Sequence, residues 1–123
     1  MDDYKSIAVT TQGDFSIVTL QKTDMTGRLE VNDTERELVD YARRVRPKRL
    51  IINFSMITLA SSQVINLLIK TRDNVLFAGG EMKLCSVPPQ IREMFQITKL
   101  DGTLFKIYNT LPEAKAAFEE AAK

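Results

Sequence analysis

Hydrophobic positions along the chain fall into alternating, continuous and helical runs, and each kind predicts a different element. Ile7, Val9 and Thr11 recur at period two, as in a strand with one covered face. Gly13-Asp14 then reads as a turn, and Phe15, Ile17 and Thr19, or their alternates, form a second strand paired to the first as a hairpin. Lys22 to Asn32 carries no period, and Gly27 breaks it. Asn32 or Asp33 is suited to cap a helix whose acidic first turn is Glu35 to Glu37. Leu38, Val39, Tyr41, Ala42 and Val45 then share one helical stripe, and Pro47 ends it.

Arg49 to Asn53 is apolar without alternation, the signature of a central strand covered on both faces. Ser62 to Leu76 is a second helix, with Val64, Ile65, Leu67, Leu68 and Thr71 facing inward and Gly79-Gly80 as its stop. Glu81 to Cys85 reads as a fourth strand. Pro88-Pro89 opens a short helix over Gln90 to Phe95, since proline suits a first helical turn. Asp101-Gly102 is a turn, and Leu104 to Ile107 a short last strand. Thr110, followed by Pro112 and Glu113, has the spacing of a capping box, and Ala114, Ala117, Phe118 and Ala121 form the inner face of a final helix. The order ββαβαβαβα predicts a single α/β domain: a small mixed β-sheet of about five strands with four helices packed on it.

The junction between the central strand and the second helix carries the chemistry. A polar-flecked loop leads from Asn53 to two adjacent serines, Ser61 and Ser62, at the helix start. A serine there accepts a hydrogen bond from a first-turn N–H. The same place tolerates a phosphate, because the dipole end is positive and N–H donors are unpaired. The hydroxyl is thus either a plain cap or a phosphoacceptor.

Composition narrows the function classes. Lys and Arg total 17 against 16 Asp and Glu, a net charge of +1, which asks for neither nucleic acid nor an anionic membrane. The cluster from Arg43 to Arg49 reads as a basic helix end or, in the alternative, as a partner-binding patch. The single cysteine, Cys85, forms no internal disulfide and reads as a small core residue, which fits a reducing compartment. The acidic start, MDDYKSIAV, lacks the apolar core of a signal peptide, no apolar run approaches a membrane span, and the expected location is cytoplasmic.

The chain has no histidine, which removes the commonest general base and metal ligand. One cysteine builds no zinc site, and neither GxxxxGK[ST] nor GxGxxG occurs, so no metal or other cofactor is expected. Glu35, Glu37, Glu119 and Glu120 fall on expected solvent faces, and a nucleophilic serine would have only lysine or a carboxylate as base. The expectation is a protein that is not an enzyme.

The order of elements and the serine segment together resemble the STAS domain family, the bacterial anti-sigma factor antagonists and their relatives. Asn53 to Leu68 resembles that family's DLSxVxxxDSSGLGxLL: Asn53 takes the strand-end aspartate position, Ser61 the second acidic position and Ser62 the phosphoserine position. Val64 and Asn66 stand where the pattern has glycines. Downstream, Gly79 to Cys85 resembles the family's Gly-Gly strand, and Pro89 to Phe95 with Ile97 to Leu100 its short helix and following turn. Phe105 to Tyr108 with Glu113-Ala114 resembles its last strand and helix. The likeness covers roughly residues 7 to 120.

The resemblance implies a protein–protein interaction switch rather than a catalyst. The implied partner is an anti-sigma factor that is also a serine kinase; it would phosphorylate Ser62, or Ser61, and a phosphatase would reset the state. The implied contact surface takes Asn53, Ser55, Thr58, Ser61 and Ser62 from the strand end and loop. Gln63, Asn66 and Lys70 join from the exposed helix face, with the 22–32 loop adjacent. Two carboxylates of the usual pattern are replaced by Asn53 and Ser61, which removes charge and leaves two hydroxyls side by side. The rival roles are a phosphorylation-independent STAS subunit of a lipid-transport ATPase complex and a stressosome-like scaffold. Neither nucleic acid nor membrane insertion is expected, and the sequence leaves the oligomeric state open.

Overall fold

Gly13, at φ +60°, and Asp14 reverse the chain between β1 (Ile7–Gln12) and β2 (Phe15–Leu20), which pair antiparallel from Ile7 opposite Leu20 to Gln12 opposite Phe15. A computed structural model of the chain describes residues 4–99 and 104–121, and the expected turn at Asp101-Gly102 lies outside them. The remaining elements are β3 (Asp24–Met25), α1 (Arg28–Val45), β4 (Arg49–Asn53), β5 (Leu59–Ala60), α2 (Gln63–Phe77), β6 (Glu81–Cys85), α3 (Pro89–Ile97), β7 (Ile107–Tyr108) and α4 (Leu111–Ala121).

The main sheet has the order β1-β2-β4-β6-β7, antiparallel only at β1, so the expected small mixed sheet of five strands with four helices is present. Leu50, Ile51 and Ile52 are fully buried at its centre, because both faces are covered. On one face β4 and its neighbours meet α1, α2 and α3 through Val18, Leu38, Leu50, Ile52, Leu68 and Phe95. On the other face Phe15, Ile17, Ile51 and Cys85 pack against Ala114 and Phe118 of α4. Thr110 caps α4 through its hydroxyl, which accepts the Glu113 N–H at 3.3 Å; the Glu113 carboxylate reaches back to the N–H of Asn109 at 3.1 Å.

Several expectations are corrected. Helix α1 starts after an extended Gly27, not at Asn32 or Asp33, and the Val31 N–H already bonds the Gly27 carbonyl at 3.1 Å. The reason is packing: Val31 and Thr34 are buried on the same stripe as Leu38, so the helix reaches back to cover them. Val45 is 47% exposed rather than inward, because the helix turns into a left-handed Arg46 immediately after it. The 22–32 stretch is not wholly irregular, since β3 pairs parallel with β5. The last strand is Ile107–Tyr108 rather than Leu104–Ile107, while Phe105 leaves the strand to pack edge-on against Phe95.

Candidate functional site

Parallel strands deliver their following loops to one end of a sheet, and here that end collects the segments after β2, β4, β6 and β7. The segment after β4, residues 54–62, contains β5 and leads into α2. Phe54 and Ile57 are buried and anchor it to the core, and the Ile57 N–H bonds the Phe54 carbonyl at 3.0 Å. Between the two, Asn53 accepts the Ser55 N–H on Oδ1 at 3.0 Å, a local turn that leaves Ser55 and Met56 at the surface.

The segment is tied on both flanks. On one side the Thr23 carbonyl accepts the Thr58 N–H at 2.8 Å and the Thr58 hydroxyl at 3.1 Å, and the Met25 carbonyl accepts the Ser61 N–H at 3.1 Å. On the other side, Gln90 Nε2 of α3 donates to the Thr58 carbonyl at 3.1 Å. These ties come from residues far away in sequence: Thr23 and Met25 lie in the 22–32 stretch expected beside this surface, whereas Gln90 of α3 carries no local signal of its role.

Ser61 and Ser62 divide the roles that their adjacency left open. The Ser61 hydroxyl accepts the Gln63 N–H at 3.3 Å, while Ser62 has helical dihedrals, φ −63° and ψ −15°, and makes no capping bond with its side chain. Ser62 therefore behaves as the first helical residue and Ser61 as the residue that caps it. The Ser62 side chain is exposed. No acidic residue stands in the first turn of α2, so its positive end is uncompensated by side chains.

The sequence-predicted residues thus separate into two groups. Asn53, Thr58 and Ser61 spend polar atoms on holding the loop. Ser55, Ser62, Gln63, Asn66 and Lys70 are exposed, and the last three, at intervals of three and four along α2, share an outward stripe. Lys70 also meets Glu35 of α1 at 3.4 Å. No Asp, Glu, Lys or Arg stands between Arg49 and Lys70, so the segment and the first turns of α2 present a neutral surface. Exposed Met56 and Leu59 give it an apolar share, at 45% and 54%.

Flanking this neutral surface, Asp24 has its carboxyl held below the usual carboxylate range by hydrogen bonds from the Thr26 hydroxyl and the Thr26 N–H. Cys85, across the β4–β6 ladder from Asn53, is fully buried, and burial pushes its thiol up, away from the reactive thiolate. Among the described residues no group of His, Cys, Asp and Glu is arranged to hold a metal ion, and no helix is long and apolar enough to cross a membrane.

The STAS domain model matches residues 6–114. Solved structures give the same fold at low identity. An anti-sigma-factor antagonist (STAS) domain protein from Planctomyces limnophilus is 23% identical, with TM-score 0.80 over 90% of this chain and 96% of its own. A variant of RsbS from Moorella thermoacetica is 18% identical, with TM-score 0.76 over 96% and 98%. The phosphorylated form of the Bacillus cell fate determinant SpoIIAA is 16% identical, with TM-score 0.67 over 91% and 98%. No curated protein matches the chain in sequence.

Proposed function

The chain belongs to the STAS domain family, and from that premise we propose that it is a non-enzymatic, cytoplasmic interaction switch of the anti-sigma factor antagonist kind. Its partner is an anti-sigma factor that is also a serine kinase. The partner docks on the 54–62 segment and on the α2 stripe of Gln63, Asn66 and Lys70, and phosphorylates Ser62. A phosphatase resets the state.

The observation that carries this reading is the division of labour between the two serines. Ser61 is occupied as a cap, whereas the Ser62 side chain is exposed and makes no capping bond. A phosphate on Ser62 brings about −1.5 to −2 charges at pH 7. At a helix N-terminus free of acidic side chains this charge is favourable to the fold. Its cost falls on the complex, where a surface fitted to a neutral segment meets a dianion.

The test is to incubate the purified protein with ATP and an extract of its native cells and to map modified residues by mass spectrometry. The reading expects phosphate on Ser62 and none on a Ser62→Ala variant that retains Ser61. Phosphate on Ser61 alone, or an unmodified pair in an extract that phosphorylates a control STAS protein, overturns it.

A second reading is a STAS binding subunit that needs no phosphorylation, in a lipid-transport ATPase complex or a signalling scaffold. What favours it is that both carboxylate positions of the family pattern are filled by Asn53 and Ser61, whose side chains serve the loop's own hydrogen bonds.

A further inference from the structure

The basic stretch between α1 and β4 lies at the opposite end of the sheet from Ser62. Strand β4 begins at Arg49 and ends at Asn53, and the 15 residues of α2 run back from the serines to Phe77, a span of roughly 22 Å. From Tyr41 to Leu50 the chain carries Arg43, Arg44, Arg46, Lys48 and Arg49 and no carboxylate. Cations near a helix C-terminus meet the negative end of its dipole. The dipole explains the sign of the charge but not three further features.

Arg43 is held without being neutralised. Its Nε donates to Asn74 Oδ1 at 3.1 Å, and Asn74 Nδ2 donates in turn to the Lys70 carbonyl at 2.8 Å. The anchor is a neutral amide fixed to the backbone of α2, so the guanidinium keeps its charge and its outer donors. Arg46 stands in the left-handed region directly after α1, at φ 53° and ψ 59°. Glycine suits that position, and any residue with a Cβ is strained there. Among the described residues no hydrogen bond or ion pair of the Arg46 side chain offsets the strain. Phe77, the last residue of α2, is 89% exposed, so the fold makes almost no use of its ring.

These three side chains meet. With Ala42, Asn74 and Ala78 they line a hollow of about 240 Å³ between the ends of α1 and α2. A third cation stands close by, since Lys48 Nζ lies 3.8 Å from where a Cβ on Gly79 would be.

We propose that this hollow docks an acidic segment of a partner protein, whose carboxylates pair with Arg43 and Arg46 while an apolar side chain packs on Phe77. A guanidinium fork matches a carboxylate two bonds at a time. The ring supplies the anchor that fixes which residue of the segment sits there. An anionic bilayer and a nucleic acid fit less well, because both present extended arrays of charge. Exposed Asp73, which shares a groove with Arg43, and exposed Glu81, whose N–H bonds the Lys48 carbonyl, confine the positive region, and the whole chain carries only +1. The hollow faces away from the Ser62 surface, so the chain can hold two proteins at once, and the proposal does not depend on phosphorylation of Ser62.

The test is an NMR titration of the isotope-labelled full chain with three synthetic heptapeptides at low salt. One is Asp-Glu-Asp-Phe-Glu-Asp-Glu, the second has glycine in place of phenylalanine, and the third has lysine in place of every acidic residue. The expected result is that the phenylalanine peptide shifts amides around Arg43 to Lys48 and Asn74 to Gly79 saturably, and leaves those from Phe54 to Asn66 unmoved. Its binding weakens about tenfold in high salt. The glycine peptide binds several-fold more weakly, and the lysine peptide does not bind. Arg43→Glu and Phe77→Ser each weaken the phenylalanine peptide about tenfold with unchanged melts. Arg46→Gly separates binding from folding: it raises the melting temperature while weakening the peptide several-fold, which an arginine kept only for the fold would not do. The absence of saturable shifts, or equal binding of the phenylalanine and glycine peptides, overturns the proposal. So does tighter binding to phosphatidylserine vesicles or a single-stranded oligonucleotide than to the acidic peptide, or an Arg46→Gly variant that melts lower than wild type.

Discussion

The Ser61 hydroxyl accepts the Gln63 N–H at 3.3 Å, and that bond makes Ser61 the cap of α2. Removing a serine cap costs roughly 1 kcal/mol. Ser61→Ala is therefore expected to lower unfolding stability by about that amount, whereas Ser62→Ala, which removes no capping bond, is expected to stay within about 0.5 kcal/mol of wild type. Urea denaturation of the two variants separates them, and equal losses would show that the two serines share the cap.

The same geometry gives Ser62→Asp a two-part outcome. Stability holds or rises by about 0.3–1 kcal/mol, because a carboxylate in the first turn faces the positive end of α2. Binding to the proposed serine-kinase partner is expected to fall, because the added charge interrupts a surface that is neutral from Leu50 to Ile69. Calorimetric titration and a thermal melt of one preparation read both. Unchanged affinity in a folded variant would remove Ser62 from the switch.

Ile51 tests the sheet itself. It is fully buried and packs with Phe15, Cys85, Ala114 and Phe118 beneath α4. Ile51→Asp places a carboxylate there without a partner, a change costing several kcal/mol, a large part of a domain's usual stability. Circular dichroism is expected to show no cooperative melt, and a near-native transition would contradict the placement of β4 under α4.

How much of this was legible beforehand depended on whether the deciding contact was local. Leu50 to Ile52 and the Thr110 cap were legible because burial on both faces and a three-residue capping spacing leave direct marks in sequence. The start of α1 was not, since Asn32 and Asp33 satisfy the local capping rule and only the burial of Val31 and Thr34 moves the start to Arg28. Strands β3 and β5 were illegible for the same reason: two-residue strands have no period, and their pairing joins Asp24 to Leu59. At the candidate site, the loop, the helix start and the outward stripe of α2 could be read. The assignment of cap to Ser61 could not, because adjacent serines meet the same rule and only the backbone dihedrals of Ser62 part them.

Gly80 is required by space. A Cβ there would lie 2.1 Å from the Pro47 carbonyl oxygen and 3.1 Å from Val75 Cγ1. The backbone cannot retreat cheaply, because the Gly80 N–H bonds the Val75 carbonyl and the Glu81 N–H bonds the Lys48 carbonyl, each at 2.9 Å. Gly80→Ala is expected to destabilise by about 1–3 kcal/mol, the usual range for overpacking. Gly27→Ala makes the control: its clash is with the end of the Glu30 side chain, which can swing away.

Lys83 gives the fold a pH dependence on its alkaline side. Its side chain is 6% exposed on the α4 face, with Nζ 4.6 Å from the centre of the Phe118 ring and 5.7 Å from that of Tyr108. Burial, and then the neighbouring Lys106, hold its ammonium below the usual lysine range, against a smaller opposing pull from Glu81. The unfolded chain therefore binds the Lys83 proton more tightly than the folded one. Between the folded and the ordinary lysine values the unfolded state carries more protons, so this group's contribution rises with pH across that window. Below it, the charged amine is a constant burden, partly offset by the two rings. Lys83→Met keeps the volume and removes the charge, and replacing a buried charge in this way is expected to stabilise at neutral pH by on the order of 1 kcal/mol. The gain should shrink as pH climbs toward the ordinary lysine range, where the wild-type amine becomes neutral in both states. Paired melts of the two proteins from pH 7 to above 10 check this. A variant less stable than wild type at neutral pH would mean that the rings contribute more than burial costs.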